Sequence, residues 1–293
     1  MPSPLTRPLR TWVLRAFPRG ESGLDYDNPT DDPGLFDPAS ATWQVHADFA
    51  GMLSGGLCAL VLQTLHPAAL AGVWDHSNFR TDLVGRLRRT THFVAGTSYA
   101  PRAQAQAQIA RVRRIHDRVQ GVTQTGEAYS ANDPALLTWV HVTEAYGFLQ
   151  GYRRFAGPVP GPDADRYYDE TRRIAEALGA TDVPRSEAEV ADYFKSVQPR
   201  LAYTDRSREV LRVLDAPEPR FAMLETIREF AGEMLDGEGG YTVYGKLFPS
   251  EKSTTLGSLP LAVRRAFLPG AGCRFRCRPP RGLGARSGFG RAA

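Results

Sequence analysis

A chain of 293 residues that is 42% hydrophobic and 10% aromatic can bury a large core, which excludes wholesale disorder. Its net charge of +4 would suggest nucleic acid, but eight arginines and no acidic residue fall between Arg264 and the end, leaving 28 basic against 32 acidic groups in the first 263 residues. The body is therefore mildly acidic and no nucleic-acid partner is expected. The three cysteines (Cys58 in an apolar run, Cys273 and Cys277 in the tail) demand no oxidising compartment and supply too few ligands for a zinc site.

In chain order, residues 1–40 read as an N-terminal arm and loop. Arg7, Arg10, Arg15 and Arg19 stand there without an acidic neighbour up to Gly20, and Trp12-Val13-Leu14 is the longest apolar run, too short for a signal-peptide core. Contact of this arm with a membrane surface is a minor alternative. Residues 21–40, rich in Asp, Pro, Asn and Gly, predict a surface loop. Trp43 to Ala50 and Gly56 to Leu65 predict interior helices. His66-Pro67 starts a further piece reaching Trp74, because the residue before proline disfavours helix. Gly55 to Trp74 is the one stretch that resembles a membrane span, but Gln63, Thr64, His66 and Pro67 near its middle fit a broken core helix better, so no transmembrane segment is expected.

Asp75-His76-Ser77-Asn78 predicts a turn or cap, and Leu83, Leu87, Thr91 and Val94 set a helix over Thr81 to Ala95. Ala100-Pro101 opens the next helix, whose apolar stripe is Ile109, Val112, His116 and Val119, with Gly121 closing it. Asn132-Asp133-Pro134 starts a helix that runs to Phe155. Helices follow at Pro162 to Leu178 (stopped by Gly179), Ser186 to Val197, Ser207 to Leu214, Arg220 to Leu235 and Leu259 to Phe267. Period-two alternation is confined to Tyr241–Tyr244. The reading is an all-α chain: one multi-helix domain over 41–268, then a basic Gly/Arg/Pro-rich tail over 269–293 expected to be poorly ordered.

All six histidines, His46, His66, His76, His92, His116 and His141, fall between residues 46 and 141. Each alone reads as a satisfied core or surface residue. His116 stands out because it lies on an apolar helical stripe flanked by Arg111, Arg113, Arg114 and Arg118. A neutral imidazole directed into an apolar pocket is what an axial haem ligand requires, and its second nitrogen is expected to donate to a carbonyl or carboxylate. The alternative is a hydrogen-bonded core histidine. Arg86, Arg89 and Thr90 share one helical face, suited to carboxylates; with Arg88 beside them they also fit a solvated basic face. His141 and Glu144, three apart on an apolar helix, read as a buried hydrogen bond, with a non-haem metal site as the alternative. No phosphate-binding loop, dinucleotide fingerprint or nucleophile elbow occurs.

The ordered set Leu62-Gln63-Thr64-Leu65-His66-Pro67, Gly72-Val73-Trp74-Asp75-His76-Ser77-Asn78-Phe79, Arg86-Leu87-x-x-Thr90, His116-Asp117-x-Val119-x-Gly121 and Tyr129-x-x-x-Asp133-Pro134-x-Leu136-Leu137-x-Trp139-Val140-His141 resembles the MpaB-type oxygenase family, which includes the rubber-cleaving latex clearing proteins. The resemblance spans residues 40 to 200. It implies a globin-like helical core around one haem b and O₂-dependent oxidation of a small apolar, unsaturated or isoprenoid substrate. By motif position it makes His116 the iron ligand and puts Arg86 and Thr90 near the haem, with Arg89, His66 and His76 as further pocket residues. Arg89 stands where the rubber-cleaving members carry lysine, and a guanidinium stays protonated and cannot coordinate iron. Those members also use an upstream glutamate, for which this chain offers only Asp75 between Val61 and Arg80. A smaller substrate than rubber is therefore expected, in a cytoplasmic haem b oxygenase. A haem sensor or carrier, a cofactor-free helical binding protein and a non-haem enzyme built on His141 and Glu144 are the alternatives.

Overall fold

The computed structural model describes residues 31–215. The arm up to residue 30, the helices expected at Arg220 to Leu235 and Leu259 to Phe267, the Tyr241–Tyr244 stretch and the 269–293 tail all lie outside the described residues.

Residues 31–40 turn without regular structure, as expected, yet they bury Phe36 to 2% exposure. The helix expected over Trp43 to Ala50 is instead two. Helix α1 (Ala41–His46) starts where the Ser40 hydroxyl accepts from the Trp43 N–H, and α2 (Phe49–Gln63) starts where the Asp48 carboxylate accepts from the Gly51 N–H. Asp48 is worth more to the chain as a cap than inside a helix, because it satisfies an N–H that has no helical partner. The chain then bends by 107° into α3 (Pro67–His76), with His66 extended and Pro67 at the first helical position. Among the described residues no single helix is long and apolar enough to cross a membrane; the bent α2–α3 pair passes by length and composition alone.

Asp82 caps α4 (Leu83–Tyr99), and α5 (Arg102–His116) follows. Here the structure departs from the expected run to Val119. Helix α5 ends at His116, and the chain passes through Asp117 into a hairpin of β1 (Gln120–Val122) and β2 (Ala128–Ser130), with Gly121 opposite Tyr129. Gly121 is thus a strand residue and not a helix stop. A Cβ there would sit 2.9 Å from the Tyr129 hydroxyl, so the tyrosine occupies the space a side chain would need. Three-residue strands are too short for alternation to show in sequence.

Helix α6 (Pro134–Phe155) has the expected bounds, with the Asp133 carboxylate accepting from the Ala135 and Leu136 N–H groups. Then come α7 (Gly161–Leu178), stopped by Gly179 at φ 113°, α8 (Glu187–Val197), a 3₁₀ turn (Gln198–Arg200) and α9 (Asp205–Asp215). With nine α-helices and one two-stranded sheet among the described residues, the fold is all-α.

Helix α6 is the axis of the core. Its Trp139 and Leu149 are fully buried, and Phe194 of α8 packs edge-on against Trp139 and Tyr146. Cys58 of α2 is a buried free thiol, pushed up to about 12 by burial, which bears out its reading as a small core hydrophobe. Helices α2 and α6 cross backbone against backbone. A Cβ on Gly55 would lie 2.4 Å from the Gly147 carbonyl oxygen, and one on Gly151 would lie 2.2 Å from that of Gly51. Two Gly-x-x-x-Gly pairs therefore set the spacing of the two central helices, since any larger residue would push them apart. Toward their other ends the link is between side chains, Gln63 Nε2 donating to Thr143 Oγ1 at 3.1 Å.

His46 is the satisfied core histidine of the set. Ser98 donates its hydroxyl to the Val94 carbonyl, so it accepts from His46 Nδ1–H at 2.7 Å, and Tyr167 O–H donates to Nε2 at 3.0 Å. This network ties α1, α4 and α7 together. Burial pushes the imidazole down to about 3, with His141 adding to the effect, so it stays neutral.

Candidate functional site

Beyond the glycine crossing, α2 and α6 form part of the wall of a cavity of about 530 Å³, closed by α3, α4, α5 and α7. That volume is typical of a preformed small-molecule site, and most of the lining is apolar, including Leu60, Val73, Phe93, Val140 and Ile174. The polar side chains divide by depth. Gln63, Arg86, His116, His141 and Glu144 face the cavity from inside the molecule, while His76, Asn78 and Arg89 line it from exposed positions at the rim.

His116, the last residue of α5, faces the cavity one helical turn after Val112, which lines it too. Its Nδ1 is enclosed without a hydrogen-bond partner, and neither ring nitrogen has a hydrogen bond among the described residues. The carbonyl or carboxylate expected to orient the ring is therefore not found. Burial lowers its pKa; Asp117 opposes this and the Arg86 charge adds to it, so the ring is neutral at pH 7.

The face shared by Arg86, Arg89 and Thr90 is split in function. The Arg86 guanidinium points inward and donates to Thr90 Oγ1. Burial lowers its pKa, against the pull of Glu144 and alongside the repulsion of Arg89. Arg89 is 57% exposed, donates to Asn78 Oδ1 at 2.8 Å and lies 3.8 Å from Asp82. His76, also at the rim, has Nε2 3.2 Å from the Gln120 carbonyl oxygen.

His66 does not line the cavity; it stands at the N-cap position of α3 without a side-chain capping bond, its ring 6.0 Å from that of Trp139. Asp75 also stays outside. It accepts from the Tyr129 hydroxyl at 3.0 Å and lies 3.8 Å from Arg206. Desolvation first, and then that bond to Asp75, push the pKa of Tyr129, which does line the cavity, up to about 12.

His141 and Glu144 overturn the hydrogen-bond reading. Both line the cavity, and no hydrogen bond joins them. Burial pushes His141 down to about 4 and Glu144 up to about 7, the latter against the Arg86 charge and the nearby Gln63 amide. Gln63 is the site residue that sequence reasoning missed; Glu144 was singled out there, but only as a partner for His141. The only signal was a polar side chain on an otherwise apolar helix. Among the described residues no three His, Cys, Asp or Glu side chains converge to hold a metal ion, so the non-haem alternative on His141 and Glu144 has no ligand set there.

The family model described as ER-bound oxygenase mpaB/B'/Rubber oxygenase, catalytic domain, matches residues 43–274. No curated protein and no solved structure matches the chain. The family match covers most of the chain and takes in every element that lines the cavity. On that match, the chain belongs to the mpaB/rubber oxygenase catalytic-domain family, and the helical cavity lies within an oxygenase domain.

Proposed function

We propose that the chain is a haem b-dependent oxygenase acting on a small apolar, unsaturated substrate, with His116 as the iron ligand. The observation that carries this reading is the state of His116: a neutral imidazole, without a hydrogen bond among the described residues, on the wall of a largely apolar cavity. An imidazole already spent on a protein partner, as His46 is, would not be available to iron.

The residues present fit the cofactor. His116 would hold the iron; Arg89, exposed at the rim beside Asn78, suits the haem carboxylates, and His76 stands at the same rim. Arg86 is directed further in, with Thr90 holding its guanidinium, so it supplies fixed positive charge inside the cavity. When bound, the haem would supply O₂ binding and activation. The protein's own part is to exclude water with apolar walls, to keep the His116 ring neutral and to hold a substrate in the part of the cavity that the haem leaves free. That limit, and a guanidinium at Arg89 where the rubber-cleaving members carry lysine, favour a small molecule over rubber.

Purified protein from cells supplied with haem is expected to show a Soret band at about one haem per chain, and O₂ uptake that depends on an added unsaturated apolar compound. Protein that stays colourless contradicts the haem assignment. Coloured protein without substrate-dependent uptake identifies a sensor or carrier instead.

A further inference from the structure

We propose that the inner end of the cavity, where Gln63, Arg86, His141 and Glu144 face one space, selects a hydroxyl group carried by an otherwise apolar substrate. This rests on the reading of the cavity as the oxygenase's substrate pocket and adds the substrate's polar end to it.

The observation behind it is a set of deep polar groups with unspent hydrogen-bonding capacity. Arg86 and Glu144 both line the cavity and each feels the other's charge, yet they form no ion pair within 4.0 Å. Among the described residues the guanidinium is used by Thr90 alone, and no hydrogen bond reaches the Glu144 carboxyl, the Gln63 amide donating to Thr143 and Val140 instead. His141 makes no hydrogen bond among the described residues. Around them stand Leu60, Phe93 and Val140, which offer no polar side chain. Polar groups that face a cavity with hydrogen-bonding capacity to spare have partners to gain from a ligand.

The chemistry of the cluster narrows that ligand. A carboxylate would be drawn to Arg86 but repelled by Glu144 in its ionised form, and an ammonium group would be repelled by Arg86 in either form. A hydrocarbon would leave every member unpaired. A hydroxyl accepts from the guanidinium and donates to the carboxylate at once. It also suits the protonated carboxyl, which matters because burial holds Glu144 near neutrality, at about 7. A site built to bind a hydroxyl discriminates strongly against an analogue that lacks it, whereas apolar walls discriminate weakly between similar chains.

The test compares geraniol with geranyl methyl ether, geranic acid and geranylamine, measured by calorimetric titration of the full chain at pH 7 with and without haem. Geraniol is expected to bind at least about tenfold more tightly than each of the others, a preference shrinking to within about threefold in Glu144→Leu. Equal binding of geraniol and its methyl ether to the unsubstituted protein overturns the proposal, whether or not the variant folds. Retention of the tenfold preference in a folded Glu144→Leu overturns it as well. The haem reading is scored separately by the Soret band. Coloured protein without the preference removes this inference alone, and colourless protein that keeps it supports this inference while removing the haem.

Discussion

Helices α2 and α6 are one pair with two different ends. At Gly51, Gly55, Gly147 and Gly151 the backbones touch and nothing fits between them. Toward Gln63, Val140, His141 and Glu144 the same helices border a cavity. The closed end is made of residues with no side chain; the open end carries groups that are costly to bury. The contrast teaches that rigidity and function are separated along a single helix pair: the glycine crossing fixes the helices so that the other ends can expose unpaired polar groups to a cavity without collapsing on them.

The largest effect is expected from breaking the closed end. Gly55→Ala puts a Cβ 2.4 Å from a backbone carbonyl that has no rotamer to move. It should destabilise the fold by about 3 kcal/mol or more, read from urea unfolding. Gly161→Ala, where a Cβ would meet nothing within 4 Å, is the control and should change stability by no more than about 0.5 kcal/mol. Equal effects would show that the crossing does not set the helix spacing.

At the open end, the carboxyl should weigh on stability as a function of pH. The folded pKa of Glu144, about 7, lies above the ordinary 4.5, so the folded protein keeps a proton that the unfolded chain has released. The resulting stability is fully present below pH 4.5 and is lost as pH rises through 7. Glu144→Gln, which cannot ionise, should therefore be more stable than the parent by up to about 3 kcal/mol at pH 8, the gap closing toward pH 4.5. His46 and His141, held down at about 3 and 4, make both proteins less stable as pH falls below 6.5 and so cancel from the comparison. A pH-independent gap would contradict the account.

Smaller still is the contrast between two histidines. His46→Phe leaves the fully buried Tyr167 hydroxyl without its acceptor, at a cost of about 2 kcal/mol. His116→Phe in haem-free protein breaks no hydrogen bond and should cost less than about 1 kcal/mol, measured by thermal unfolding. The reverse order would mean that His116 is structural.

Much of the frame is legible in the residues. Asp133-Pro134 and Gly179 mark helix ends by local chemistry that tertiary contacts do not override, and the His66-Pro67 break follows from the restriction on the residue before proline. The end of α5 was not legible, because Val119 continues the apolar spacing while the space at Gly121 is taken by Tyr129, a partner distant along the chain. His116 was visible as a polar residue on an apolar stripe. Glu144 was visible too, but its pairing with His141 was inferred from spacing, and the structure turns both toward a cavity that no local pattern encodes. His66 shows the opposite failure: it lies within a family motif yet serves a helix start, outside the cavity lining.

Two imidazoles without a hydrogen bond among the described residues, His116 and His141, line the cavity, and the iron is assigned to the first. The most direct test is haemin titration of the parent, His116→Ala and His141→Ala, followed at the Soret band. The account predicts that His116→Ala loses saturable binding at stoichiometric haemin while His141→Ala retains it. Loss in His141→Ala with retention in His116→Ala would contradict it.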